Sequence, residues 1–230
     1  YYKKSLALYV KNNGEVNNDV ALNYNNLAYV YSYAYNQKYT INYYKKAAGI
    51  WEKVYAKNND DKDYLLTVYQ NLNATLIEYG ALDEAKIYLK KLNAHFRKKY
   101  IENLGKTIPK YFAARQLNVL ANVRTLSAMG DYNKAILYCD SLKAETKFSE
   151  ATKEDIAFVV NSYALIADFS YDKKDYLYTV SICKPILKIA DQYDLRHQKM
   201  IINAKLASSY EKLKQLNEGL KHVNLADANA

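Results

Sequence analysis

Proline and glycine are scarce, with two and six residues respectively in a chain of 230. An all-β protein of this length needs a turn signal every ~8 to 12 residues, so this shortage excludes a sandwich or barrel and leaves helices as the default. Cysteine is nearly absent. Cys139 and Cys183 are the only two, too few for a disulfide framework. Arginine is scarce as well: Arg97, Arg115, Arg124 and Arg196 are the only four among 33 basic residues. Bidentate reading of bases and phosphates relies on the planar arginine fork, so the net charge of +9 reads as an excess of lysine. Nucleic acid is not the expected partner, whereas an acidic protein or peptide suits the sign of the charge. No apolar run approaches the ~18 residues of a membrane span, and nothing resembles a signal peptide. Both absences point to the cytoplasm. The chain nevertheless opens at Tyr1 without methionine and inside a repeat, as a fragment of a larger protein would, so a targeting segment could precede it.

Tyrosine is abundant, at 26 residues, and the chain is self-similar. Tyr1-Tyr2-Lys3-Lys4-Ser5-Leu6-Ala7-Leu8 is echoed by Tyr43-Tyr44-Lys45-Lys46-Ala47-Ala48-Gly49-Ile50. A second echo runs through Leu82-Asp83-Glu84-Ala85, Tyr132-Asn133-Lys134-Ala135, Tyr176-Leu177-Tyr178-Thr179 and Leu216-Asn217-Glu218-Gly219. The spacing, at forty to fifty residues, is that of a helical repeat. Apolar residues recur three and four apart, so each unit reads as two amphipathic helices. The expected organisation is one continuous domain: a half-repeat over 1–17, then repeats at about 18–61, 62–108, 109–150, 151–195 and 196–230. Uneven spacing places insertions in loops, chiefly around Lys99 to Pro109.

Within the unit, Tyr24-x-x-Leu27-Ala28-x-x-Tyr31 followed by Thr40, Tyr44 and Ala47 resembles the tetratricopeptide (TPR) pattern. Tyr69, Leu72, Leu76, Gly80, Ala85 and Leu89 repeat it, as do Tyr163, Ile166, Ala167, Tyr176 and Cys183, and Leu206, Ala207, Tyr210, Leu216 and Gly219. In the third unit Leu120, Ala121, Leu126, Gly130, Tyr132 and Ala135 fit only with one residue inserted. Tyr24-Asn25-Asn26-Leu27 and the helix end Trp51-Glu52-Lys53-Val54-Tyr55 are similar to the kinesin-light-chain variety, which also precedes CHAT-type proteases and occurs in bacterial sensor kinases. The resemblance implies an all-α, right-handed superhelical solenoid of helical hairpins. It implies a scaffold that holds a peptide or protein segment in its concave groove, with no enzyme activity and no cofactor. The alternative function is regulatory control of a linked effector, a CHAT-type protease or a kinase.

Small residues where helices approach closely have a physical reason, since added bulk there costs ~1 to 3 kcal/mol. Asn73 and Thr40 depart from that rule and predict looser seams. Gly80 and Gly130 are expected to close first helices, Pro109 to open one, and Pro185 to kink another. Cys139 and Cys183 fall at one point of successive repeats. Packed helices lie ~8 to 10 Å apart, so two reduced core thiols are expected.

The resemblance places the first helix of each pair on the concave face. The ligand-facing positions it implies are Asn25, Asn26, Tyr29 and Tyr33; Gln70, Asn71 and Ala74; Asn118, Asn122 and Thr125; Ala164 and Asp168; and Ala204, Lys205 and Ser208. Asn26 and Asn71 carry the most weight, because an amide both donates to and accepts from a peptide backbone. Packing between helices is the alternative for the asparagines and tyrosines, and solvation for Lys205. Early groove positions lack the basic residues that capture a peptide C-terminus. A chain cut within a repeat exposes an apolar end, where copies of the chain could associate.

Searching for chemistry finds little. His95, His197 and His222 have no ligand-spaced partner, and H-E-x-x-H, G-x-S-x-G, Walker and C-x-x-C patterns are missing. Asn59, Asp61 and Asp63 alternate as in a calcium loop, but Tyr64 stands where the loop needs glycine and Gln70 where it needs glutamate. No metal site and no catalytic residue is expected.

Overall fold

The computed structural model describes residues 2–58, 64–101 and 111–227, and among these every regular element is helical. The order is α1 (Tyr2–Asn13), α2 (Asn18–Tyr33), α3 (Gln37–Asn58), α4 (Tyr64–Glu78), α5 (Leu82–Phe96) with a π turn at Arg97–Ile101, α6 (Tyr111–Met129), α7 (Tyr132–Thr146), α8 (Lys153–Asp172), α9 (Tyr176–Gln192), α10 (Arg196–Lys212) and α11 (Leu216–Asp227). The all-α expectation holds for the described residues. Pro109 and the alternating Asn59, Asp61 and Asp63 lie outside them. The chain forms two compact units, Tyr1–Ala121 and Asn122–Ala230.

One turn is used again and again. At Gly80 the backbone N–H bonds Ile77 O at 3.0 Å, and Ala81 N–H reaches back to Leu76 O at 2.7 Å. This pair of bonds, around one residue at positive φ, is the Schellman close of a helix. The same pair surrounds Tyr35, Gly130, Lys174 and Lys214 within hairpins, and Asp194 between α9 and α10, all at positive φ. Glycine therefore closes α4 and α6 as its freedom at positive φ predicts. A tyrosine and two lysines do the same for α2, α8 and α10. Five residues after each turn that joins the two helices of a hairpin stands a buried small residue: Thr40, Ala85, Ala135, Thr179 and Gly219. At the last of these the helices pack closely, since a Cβ on Gly219 would sit 3.4 Å from Ala207 O.

In the first unit, α1 packs on α2, α2 on α3, α3 on α4 and α4 on α5. Leu66, Leu72 and Leu76 of α4, Ala47 and Trp51 of α3 and Leu92 of α5 form its core. Burying each leucine stabilises the fold by roughly 1.5 to 3 kcal/mol. Asn73 does not loosen its seam. It is fully buried, and its Nδ2 donates to Ala85 O at 3.0 Å across the hairpin. Thr40 is fully buried too, its hydroxyl satisfied by Asn36 O at 2.9 Å on its own helix. At both places the backbone supplies an acceptor for the side-chain donor.

In the second unit, α7 packs on α8, α8 on α9, α9 on α10, and α10 on α11, with a further contact between α8 and α10. Ile156, Val159 and Ile166 of α8, Ile186 of α9, and Ile202 and Leu206 of α10 are buried. Helix α9 runs from Tyr176 to Gln192 through Pro185, whose exposed position leaves the lost bond to the carbonyl of Ser181 facing water. Cys139 and Cys183 are free and buried, as the sequence predicts. Burial pushes the Cys183 thiol up to about 12, and that of Cys139 higher still.

Two buried tyrosines, Tyr69 and Tyr163, have their hydroxyls bonded to carboxylates. Tyr69 on α4 donates to Glu52 on α3 at 2.8 Å, and Lys91 on α5 donates to the same carboxylate oxygen at 2.8 Å. Tyr163 on α8, at the same distance before its turn as Tyr69, donates to Asp140 on α7. A first-helix tyrosine thus ties its hairpin to the preceding helix in both units.

The turn at Gly130 also corrects the register of the third hairpin. Counted back from the turn, the leucine-plus-small pair of other hairpins corresponds to Asn122-Val123, and not to Leu120-Ala121. No inserted residue is needed.

Candidate functional site

The positions expected to face a ligand behave differently in each hairpin. On α2, Tyr29 and Tyr33 are 55% and 69% exposed, their hydroxyls 2.6 Å apart and their rings edge to face at 4.9 Å. They pack on each other and not into the core. Asn25 and Asn26 beside them are half-buried, and the Asn25 Oδ1 is shut off from solvent with no hydrogen-bond partner among the described residues. On α4, Asn71 is half-buried, but Gln70 is buried at 9% exposure.

On α6 the expectation fails. Asn118 and Asn122 are buried, at 5% and 2% exposure, and Thr125 is fully buried. Asn118 donates through Nδ2 to Asn93 Oδ1 on α5 at 2.7 Å, and its Oδ1 accepts from Arg115 at 3.2 Å. Asn118 thereby ties α6 to α5. The cause is the register error: counted from Gly130, the places equivalent to Asn25, Asn26 and Tyr29 are Leu120, Ala121 and Arg124.

On α8 and α10 the expected positions come together. Asp168 from α8 and Ala204, Lys205 and Ser208 from α10 line one cleft of about 540 Å³, with Tyr171 and Met200 beside them. The end of α11 supplies Ala226 and Asp227, and α10 adds Ile201. Lys205 Nζ lies 2.8 Å from Asp168 Oδ1 and 4.8 Å from the Tyr171 ring centroid. Half-buried Lys205 thus forms part of the cleft wall, paired with Asp168. One lysine faces two carboxylates here, so the cleft does not share the basic character of the whole chain. Ala164, the remaining expected position on α8, does not line it.

Sequence reasoning missed Tyr171, Met200, Ile201 and Asp227. Tyr171 and Met200 were within reach, lying three residues after Asp168 and four before Ala204, on the same helix faces. Asp227 was not, because only the packing of α11 on α10 brings it there.

His222 Nδ1 is 2.7 Å from Asn203 Oδ1, and its ring stacks on Tyr210. His95 is buried edge-on against Tyr55 at 4.7 Å. His197 is exposed. Among the described residues no group of three His, Cys, Asp or Glu side chains is arranged to hold a metal. No described helix is long and apolar enough to cross a membrane.

The chain matches no known family model, and no curated protein is significantly similar to it in sequence.

Proposed function

We propose that this chain is a TPR-type array whose second unit binds an extended peptide segment in the cleft between α8, α10 and α11. The observation that carries the reading is the convergence of Asp168, Ala204, Lys205 and Ser208 on one cleft. A repeat pattern read without coordinates assigned these four residues, from two consecutive hairpins, to a common face. The turn that recurs in each hairpin, with its buried small residue five places on, supports the repeat itself.

The chemistry suits a peptide. Met200, Ile201 and Ala204 offer an apolar seat for a side chain. The Ser208 hydroxyl can donate and accept, and the Asp168 and Asp227 carboxylates can accept backbone N–H groups. Each such bond contributes about 0.5 to 1.5 kcal/mol net, so affinity has to come from several of them together with the apolar seat. The tied Lys205–Asp168 pair lowers the entropy lost on binding, because both side chains are already held.

The test is selection from a random peptide library on the immobilised 230-residue chain, followed by affinity measurement on a Ser208→Trp variant that fills the cleft. Peptides enriched on the natural chain should bind the variant at least about tenfold more weakly, a difference near 1.4 kcal/mol. Equal affinity for both would remove the cleft from the account.

A further inference from the structure

A second cleft lies in the first unit, shares no residue with the first, and is of different chemistry. It measures about 520 Å³ and opens between α1, α2 and α3. Leu6 and Val10 from α1, Val20 from α2 and Ile50 from α3 make a mainly aliphatic floor, with Tyr24 of α2 also lining the cleft. Its rim carries Lys45, Lys46 and Lys53 against the single carboxylate of Glu15. Lys45 is engaged with Glu84 of α5. Lys46 lies 5.3 Å from the Tyr24 ring centroid and 5.9 Å from that of Tyr43. Lys53 is exposed.

Gly49 is the second observation. It lies inside α3, one residue before Ile50, and lines this cleft. Its backbone is not in the left-handed region, and a Cβ built on it meets no atom within 4 Å. Neither backbone geometry nor close packing calls for glycine here, although glycine is among the poorest helix formers. It leaves open space in the wall of the cleft, on the same helix as Lys45, Lys46 and Lys53.

We propose that this cleft binds a free long-chain carboxylate. The acyl tail lies on Leu6, Val10, Val20 and Ile50 beside Gly49, and the carboxylate sits at the lysine rim. The volume is within the roughly 300 to 1,000 Å³ of small-molecule sites, which are mostly apolar with a few placed polar groups. The charge balance of the rim selects an anion, and the aliphatic side chains of Leu6, Val10, Val20 and Ile50 suit a flexible acyl tail. The inference does not depend on the peptide reading of the second unit.

The experiment is calorimetric titration of the 230-residue chain with dodecanoate below its micelle concentration, alongside dodecyltrimethylammonium, which has the same tail and the opposite charge. Saturable binding of one dodecanoate is expected, at least about tenfold tighter than the ammonium. Gly49→Leu fills the cleft and should weaken dodecanoate at least about tenfold while its circular dichroism and urea midpoint stay at or above those of the natural chain. Lys46→Ser combined with Lys53→Ser should also weaken it, without unfolding. The proposal is overturned by any of three results: no saturable binding of dodecanoate, equal binding of the two amphiphiles, or undiminished binding by folded Gly49→Leu. Binding of an acidic amphipathic peptide in place of dodecanoate would overturn it too.

Discussion

Lys205 of α10 bridges to α8 twice: its ammonium is 2.8 Å from Asp168 Oδ1 and 4.8 Å from the Tyr171 ring centroid. Both charged side chains are partly exposed, at 25% and 50%, so water and salt screen the pair. Lys205→Met is therefore expected to cost only ~0.2 to 1 kcal/mol. A double-mutant cycle with Asp168→Asn in urea should return a coupling of that size that shrinks in 1 M salt. A loss above about 3 kcal/mol would mean a buried charge pair instead.

Asn73 occupies the place where other hairpins carry Ala28, Ala167 or Ala207, and it bonds Ala85 O across its hairpin. Asn73→Ala should lower stability by about 1 to 3 kcal/mol, removing a fully buried bond without adding bulk. The urea midpoint should fall at constant slope. No change would show that the bond is incidental to the seam.

The shared turn makes opposite forecasts at two positions. Gly80→Ala places a Cβ on a residue at φ +76 and should destabilise by about 1 to 2 kcal/mol. Lys174→Gly, at φ +65, relieves the same strain and should stabilise by up to about 1 kcal/mol, less the flexibility it adds to the unfolded chain. Thermal melting of the two variants should shift in opposite directions.

Alkaline stability follows from the buried thiols and tyrosines. Burial pushes Cys183 up to about 12 from 9.0, and Tyr44 to about 12 from 10.0. Once pH exceeds the unfolded values, the unfolded chain has lost these protons while the native chain keeps them. Fewer protons are then bound in the unfolded state, so the free energy of unfolding falls as pH rises. Stability should be level below about pH 8.5, the ordinary thiol value, and decline between pH 9 and 12. Urea midpoints should show this, and Cys139→Ala with Cys183→Ala should flatten the part of the decline nearest pH 9. Below that range the natural chain should react with a thiol reagent only on unfolding.

Much of the helical layout was legible before any coordinates. Thr40, Ala85, Ala135, Thr179 and Gly219 could be aligned because a hairpin's closest approach admits only small residues, and that constraint is written as residue type. The third hairpin was misread for an equally physical reason. Leu120-Ala121 looks like the leucine-plus-small pair, but Asn122-Val123 takes that place in α6. Three of the five hairpin turns, and the turn at Asp194 after α9, were invisible, because Tyr35, Lys174, Lys214 and Asp194 adopt a conformation that sequence reasoning reserves for glycine.

The order of amphipathic helices, their hairpin spacing and the reduced state of Cys139 and Cys183 followed from the amino acids alone, since periodicity and side-chain volume act over a few residues. Which of the candidate groove residues meet was decided only by packing. Asn118 and Asn122 went to the core because the turn at Gly130 sets the rotation of α6. Lys205 met Asp168 and Tyr171 because α10 lies against α8, and Gly49 opened onto lysines and aliphatic side chains because α1 lies near α3. Contacts of this kind depend on the angle and rotation of whole helices, which no local pattern specifies.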